Sequence, residues 1–510
     1  NIVANLSGPL KSALKMVDNK PLRLLSKYGF KAKSFKGWSQ TKVGFSFPLH
    51  RSLKLGEVKV EASSQIVNAR FPINSSNKIL ESGNFDLQLD SKGFALSGKA
   101  TVDDALMKVK WQENFQADIN FHRRYEISGR FNEELQEEFF KSVQIAPYVT
   151  GPLELELSVV ERLTGNKEIV AKAALKETRL TIPAFNWRKV PGEVGMAWVS
   201  VVLRRDGEVN VKNFRIQAKG LRGEANFHFN SRGKFVKADI HRFKLGRSDF
   251  GGVVKARSRN GFDVSLKGAS LDAVQILEHS ENDNEALLPR LNLETNLERV
   301  WLDSKVPVNA VVGTMRYDGE IFEQAKISGI IAKNQPFSFD LDTSFDKQHV
   351  VLRANDAGGF LSGLDITDTL RGGVLKLMAS KNRGKKDPWN GRLTIKNYTI
   401  VNAPNLARIL TLASFTGILN RLLGKGIEFK KLEVPFSHSA GKTTIRNARA
   451  IGAELGLTAD GFLNLSMNTA RLQGTMVPAY SINSVLGDIP LIGTIFTGEK
   501  GSGVFAATYE

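Results

Sequence analysis

Gly441-Lys442-Thr443 is the nearest this sequence comes to a phosphate-binding loop. Such a loop cradles phosphate oxygens in backbone N–H groups, sets a lysine on the outer phosphates, and needs another glycine five residues before the Gly-Lys pair. Phe436 occupies that position. Strand-like segments, Leu432 to Phe436 and Thr444 to Ala448, flank the tripeptide where a helix should follow. The stretch therefore predicts a hairpin turn. The seven histidines (His50, His122, His228, His241, His279, His349 and His438) form no His-x-His cluster and no i,i+4 pair around a glutamate. That spacing offers a metal ion nothing. No Gly-x-Ser-x-Gly elbow occurs, so a serine nucleophile of that kind has no setting. Aspartate and glutamate mostly take the polar positions of alternating segments, where solvation explains them. The sequence predicts no catalytic residue, no metal, no cofactor and no enzyme.

Charge is the remaining chemical signal. Lysine and arginine number 71 against 52 acidic residues, a formal charge of +19. Such a surface attracts phosphate-bearing partners, whether nucleic acid or anionic lipid. Between Lys20 and Lys54 lie nine basic residues and no acidic one, with Lys31, Lys33 and Lys36 at the centre. A solvated basic face explains the run, and a surface for anionic headgroups is the functional reading. Trp38 and Phe35 beside Lys33 and Lys36 come nearest to an aromatic-and-basic reader of single strands, but no RNP-like motif accompanies them. Nucleic acid is not the expected partner.

The elements that would position these residues are mostly strands. Apolar residues recur at every second position in Val58, Val60 and Ala62; in Phe85, Leu87 and Leu89; and in Leu153, Leu155, Leu157 and Val159. The same holds for Ala225, Phe227 and Phe229; for Val264 and Leu266; and for Phe337, Phe339 and Leu341. Side chains alternate across a strand, so each segment has one oily and one wet side. Asp206-Gly207, Asp318-Gly319, Ser231-Arg232-Gly233 and Asn260-Gly261 read as turns between them. The pattern predicts a mainly β protein built as an antiparallel meander. Helices are expected from Gly8 to Leu25, from Glu133 to Lys141 capped by Asn132, from Leu271 to Leu277, and from Pro404 to Leu423. A weak repeat, helix then glycine then strands, recurs near Gly37 and Gly151. Pattern alone favours a sandwich, in which a second sheet buries the oily faces. A chain of 510 residues allows three or four domain-sized units. Boundaries are expected to give segments 1–126, 127–290, 291–400 and 401–510, with acidic Glu278 to Pro289 as a linker.

The chain is 42% hydrophobic and 24% charged, which is ordinary globular composition. Phenylalanine is the dominant aromatic, at 31 against 7 tyrosines and 6 tryptophans, and suits a surface that stays apolar throughout. With no cysteine, disulfides and thiolate chemistry are impossible. No window reaches the ~20 apolar residues of a spanning helix. The first residue is Asn and no signal peptide precedes it, so the expectation is a piece of a longer chain whose anchor lies elsewhere.

Residues 402–425 read NAPNLARILTLASFTGILNRLLGK. Beyond them stand FKKLEVPFSHSAGKTTIRNARAIGAELGLTADGFLNL and RLQGTMVPAYSINSVLGDIPLIGTIFTGEKGSGVFAATYE. This stretch resembles the C-terminal domain of the AsmA-like family, in its YhdP-type branch. The VPAY…IPLIG…GSGVFAATY string is its most specific part. Residues 351–377 (VLRANDAGGFLSGLDITDTLRGGVLKL), and the opening SGPLKSALKMVDNKPLRLLSKYGF with KGWSQTKVGFSFPL, are similar to the same branch. The resemblance implies a periplasmic, inner-membrane-anchored protein of a Gram-negative envelope, with a long curved antiparallel sheet forming an apolar groove for phospholipid. It reverses the sandwich expectation, because acyl chains would replace the second sheet.

The lining would then be Val58, Val60, Leu87, Leu89, Leu153, Leu155, Leu157, Phe227, Phe229, Phe337, Phe339 and Leu341, with Lys31, Lys33 and Lys36 near headgroups. The implied partners are phospholipid, the inner and outer membranes, and envelope proteins. The implied function is bridge-like lipid carriage; the alternative is a scaffold for outer-membrane assembly. Leu410, Leu412, Phe415 and Leu419, with Ile492, Ile495 and Phe496, either contact a membrane or partner, or cap the groove.

Overall fold

Where the sequence alternates, the chain is extended: Leu153, Leu155, Leu157 and Val159 lie in the strand Leu153–Glu161, and Phe337, Phe339 and Leu341 in Gln335–Ser344. A computed structural model describes residues 1–510 other than 19–23, 28, 50–53, 55–56, 74–77, 117–120, 141–147, 259, 275, 277–288, 303–305, 332–334, 384–386, 413–415, 465–466, 468, 479–506 and 510. Strand makes up 67% and helix 11%, so the fold is mainly β, with few short helices among the described residues. The chain divides into two compact units, Asn1–Gly246 with Val253–Lys255, and Arg247–Gly252 with Ala256–Glu510.

The first unit contains β1 (Ile2–Pro9), β2 (Lys36–Ser46), β3 (Lys59–Pro72), β4 (Ile79–Leu89), β5 (Gly93–Val102), β6 (Ala105–Asn114), β7 (Arg123–Phe131), β8 (Val149–Thr150), β9 (Leu153–Glu161), β10 (Lys167–Ala174), β11 (Arg179–Ile182), β12 (Trp187–Lys189), β13 (Gly195–Leu203), β14 (Val209–Ala218), β15 (Leu221–Phe229) and β16 (Phe235–Leu245). Its helices are α1 (Leu10–Val17), α2 (Leu24–Lys27) and α3 (Glu133–Phe140). Strands β1 to β7, β9, β10 and β13 to β16 pair antiparallel, each with the next. The ladder passes residue 126 without a break. Strands β8, β11 and β12 form a separate three-stranded sheet. Asn132 caps α3 as expected, its Oδ1 accepting from the Leu135 N–H at 2.9 Å. The expected Gly8–Leu25 helix is shorter, because Gly8 and Pro9 belong to β1 and helix begins at Leu10.

β17 (Ser248–Arg257) has residues in both units. The second unit continues with β18 (Gly261–Asp272), β19 (Arg290–Trp301), β20 (Pro307–Tyr317), β21 (Phe322–Ile331), β22 (Gln335–Ser344), β23 (Lys347–Ala354), β24 (Leu370–Asn382), β25 (Trp389–Ile400), β26 (Ile427–Ser439), β27 (Lys442–Gly452), β28 (Leu455–Asn464), β29 (Thr469–Pro478) and β30 (Ala507–Tyr509). Its helices are α4 (Ala357–Gly363), α5 (Pro404–Leu412) and α6 (Thr416–Leu423). From β19 to β30 the strands pair antiparallel, whereas β18 and β19 run parallel from Gly261 opposite Arg290. This parallel step interrupts a meander that is antiparallel over most of the chain, as expected. A parallel neighbour requires a crossover of a dozen or more residues, and the chain between Asp272 and Arg290 supplies it. Most of the expected acidic linker in that stretch lies outside the described residues. Strand β18 takes Leu271 and Asp272 from the helix expected there.

Gly441-Lys442-Thr443 is a hairpin. Ser439 stands opposite Lys442, and Ala440 and Gly441 both have positive φ, +48° and +75°. Those values suit a tight turn that matches strand twist. Within strands, left-handed residues mark bulges that bend the chain. Asn213 (φ +53°) donates its N–H to Asn226 Oδ1 at 2.9 Å, and Asn447 (φ +54°) donates to Asp460 Oδ1 at 2.8 Å. Asparagine tolerates this backbone region better than branched residues do.

Candidate functional site

Three long connections in the first unit leave the same end of its strands. Helices α1 and α2 join the Pro9 end of β1 to the Lys36 end of β2. Helix α3 and β8 join β7 to β9, and β11 and β12 join β10 to β13. The opposite end carries hairpins at 90–92, 162–166, 204–208 and 230–234. The two ends are here the capped end and the rim. Leu10 and Leu25 from the helices, Phe35, Leu135, Leu175 and Leu180 form one buried cluster with Ala100, Met107, Phe131, Leu153 and Leu155 of the strands. Phe30, Phe35 and Phe71 close it, with Phe35 and Phe71 stacked at 4.7 Å. Each such buried side chain contributes about 1.5–3 kcal/mol. Lys189 is fully buried there. Its ammonium donates to the carbonyls of Thr178, Lys176 and Val190 at 2.8, 3.3 and 3.2 Å, and burial pushes its pKa down.

Cross-strand register shows what lies between cap and rim. One row runs through Leu87, Leu96, Trp111, Tyr125, Val159, Ile169, Val201, Val211 and Phe227 on nine strands. The next row towards the cap includes Gly98, Val109, Ile127, Leu157, Ala171 and Val199. These residues share one face; the face behind carries Lys110, Glu126, Ser158 and Glu168. The alternations in the sequence therefore add up to one apolar face per unit. Val60, Leu87, Leu89, Leu153, Leu155, Leu157, Phe227 and Phe229 all lie on it, and Val58 precedes β3. Leu153 and Leu155 are buried under the cap, whereas Val60, Leu87, Leu89, Leu157, Phe227 and Phe229 are half-buried.

The second unit repeats the plan. Helix α4 leaves the Ala354 end of β23, and α5 and α6 leave the Ile400 end of β25. Phe360 of α4 packs on Phe337 at 5.4 Å between rings. Leu410 of α5 and Leu422 of α6 are fully buried, as is Ile427. Leu410 thus packs inside the protein, on the capping side of its two readings. Leu419 is half-buried and Leu423 exposed. The Leu412 side chain, Phe415, Ile492, Ile495 and Phe496 lie outside the described residues. Apolar rows follow: Phe337, Ala354, Leu375, Ile395 and Leu432, then Phe339, Leu352, Leu377, Leu393 and Val434. A third row begins with Leu341, Val350 and Ala379. Leu341 is buried, while Phe337 and Phe339 are half-buried.

The rim row of each unit escaped the sequence reading. In the first unit it places Glu113, Arg123, Glu161 and Lys167 side by side on the apolar face. Arg123 Nε is 2.7 Å from Glu113 Oε2 and its Nη1 is 3.2 Å from Glu161 Oε2, so the cation is neutralised from both sides. Burial raises the pKa of the neighbouring Tyr125 phenol. In the second unit the row is Gln348, Lys381, Trp389, His438 and Thr443, with no carboxylate among them. Lys31, Lys33 and Lys36 are exposed, but at the capped end of the first unit rather than at its rim. Among the described residues no group of acidic and histidine side chains could hold a metal ion, and no helix is long and apolar enough to cross a membrane. Comparisons with protein-family models, curated proteins and solved structures return no match for this chain.

Proposed function

We propose that the protein carries phospholipid between the inner and outer membranes of a Gram-negative envelope, its acyl chains lying along the apolar faces of the two units, with no covalent chemistry. One observation carries this reading. Rows of half-buried apolar side chains run across strand after strand, capped at one strand end and flanked at the other by polar and aromatic residues. Each methylene sheltered from water contributes about 0.8 kcal/mol, so a two-chain lipid needs a long shelter. Repeated rows of similar residues offer that shelter without one deep well, which lets a chain slide from strand to strand. The resemblance of residues 402–510 to the AsmA-like family supports the envelope setting.

Protein purified without detergent and extracted for mass spectrometry tests the reading. The expected result is stoichiometric diacyl phospholipid that added acceptor vesicles deplete. A lipid-free protein that neither binds nor transfers phospholipid contradicts it.

A further inference from the structure

The outer face of the second unit, behind its apolar rows, sets like charges against each other. Arg353 stands directly opposite Lys376 across β23 and β24, and Lys396 opposite Lys431 across β25 and β26. Facing side chains on paired strands lie about 5 Å apart at Cβ, where like charges destabilise the pairing. Two carboxylates answer part of this charge. Asp340 is 3.3 Å from Arg353, and Glu433 is 3.0 Å from Lys431 and 3.6 Å from Arg392. Among the described residues no carboxylate pairs with Lys376, Lys396 or Arg449, and all three are exposed. Register holds these cations together. Lys376, Thr394, Glu433 and Arg449 form one row on β24 to β27, and Val374, Lys396 and Lys431 form the next. Val374 and Met378, on the same face of β24, are exposed apolar side chains.

A sheet that keeps two repelling pairs in neighbouring rows, with exposed apolar side chains beside them, suits a partner that brings negative charge. Neighbouring strands rotate by about 20–25°, so the cations turn through roughly 60–75° from β24 to β27. A flat bilayer meets such a surface over few strands at once, whereas an extended polypeptide can follow it. The row from Lys376 to Arg449 spans roughly 14 Å at about 4.8 Å per strand, the reach of about four extended residues. Glu433 and Asp340 would repel a continuous line of phosphates, which favours spaced carboxylates over nucleic acid. We infer that this face docks an acidic segment of a partner protein, whose carboxylates pair with Lys376, Lys396 and Arg449 and whose apolar side chains rest on Val374 and Met378. Docking here uses the face behind the apolar rows, so it stands or falls independently of lipid carriage.

The test uses the full chain and a fluorescent peptide of alternating glutamate and leucine. The triple variant Lys376→Gln/Lys396→Gln/Arg449→Gln is compared with Lys108→Gln/Lys212→Gln/Arg222→Gln, which removes the same charge from exposed positions of the first unit. Wild type should bind the peptide, more weakly as salt rises. The first triple variant should bind it about tenfold more weakly, the scale of several exposed ion pairs. Its melting temperature should be no lower than that of the wild type, because the repulsion is relieved. The second triple variant should bind the peptide as the wild type does. Equal losses in both variants overturn the site, because net charge alone would then attract the peptide. A wild type that does not bind the peptide overturns it too. So does a first variant that loses more affinity for single-stranded DNA or phosphatidylglycerol vesicles than for the peptide, since the occupant would then be a nucleic acid or a membrane. A lower melting temperature in the first variant would assign these cations to the fold and also overturn the docking face.

Discussion

Arg123 and Glu113 face each other across β6 and β7, with Nε 2.7 Å from Oε2 and the carboxylate wholly shielded from solvent. Two further bonds support the pair, from Arg123 Nη2 to Glu113 Oε1 at 3.2 Å and from Trp111 Nε1 to Glu113 Oε2 at 3.4 Å. The cluster shares a face with Leu157 and Val159, so its charges are matched within the protein. Arg123→Ala would leave Glu113 buried beside an unpaired Glu161, at a cost of about 3–5 kcal/mol. Thermal melting of Arg123→Ala should fall clearly. Arg124→Ala, which loses only a stacking contact 4.5 Å above Phe121, should cost below about 1 kcal/mol. Equal melting temperatures for the two variants would contradict this account of the rim.

Phe339 stands between Ile327 and Leu352 on the apolar face of the second unit and is half-buried. A carboxylate there would cost several kcal/mol if an acyl chain had to pass it, yet the fold can solvate it. Phe339→Asp should therefore keep a near-wild-type circular dichroism spectrum and lose most bound phospholipid. An unfolded variant would show that Phe339 packs in a closed core.

The capping helices predict the opposite balance. Leu410 and Leu422 have no exposure, so Leu410→Ala and Leu422→Ala should each cost about 2–5 kcal/mol. Chemical denaturation checks this through a lower midpoint at an unchanged slope. A cost under about 1 kcal/mol would mean that α5 and α6 rest on the sheet without sealing it.

Lys189 gives a pH signature. Burial lowers its folded pKa, so over the window between that lowered value and the usual lysine value of about 10.4 the unfolded chain binds more protons than the folded one. Stability must rise with pH through that window and be flat in this contribution below it. Wild type should gain stability towards pH ~10 relative to Lys189→Met, which has no proton to release. Parallel stability curves for the two would remove Lys189 as the cause.

Much of the fold is legible because a strand writes its own period. The oily side of Leu153 to Val159 is visible in the strand alone, and Asp206-Gly207 and Asp318-Gly319 announce their turns. Gly441 was legible by elimination, since Phe436 stands where a phosphate loop needs glycine. What one strand cannot show is its register against the next. Lys381, Trp389 and His438 are separated along the chain and meet only because β24, β25 and β26 pair with particular offsets. The charges of Glu113, Arg123 and Glu161 looked like solvated polar positions for the same reason. The parallel β18–β19 step was hidden because either strand would read alike in both orientations. The basic run at Lys31, Lys33 and Lys36 was visible, but not the strand end it occupies.

Site-specific photocrosslinking tests the central claim most directly. Phe339 and Ser338 are neighbours on opposite faces of β22, as are Leu157 and Glu156 on β9. A photoreactive phenylalanine at Phe339 or Leu157, activated in cells, should trap phospholipid, and one at Ser338 or Glu156 should trap little. Equal lipid adducts at all four positions, or none at Phe339 and Leu157, would contradict lipid carriage along the apolar face.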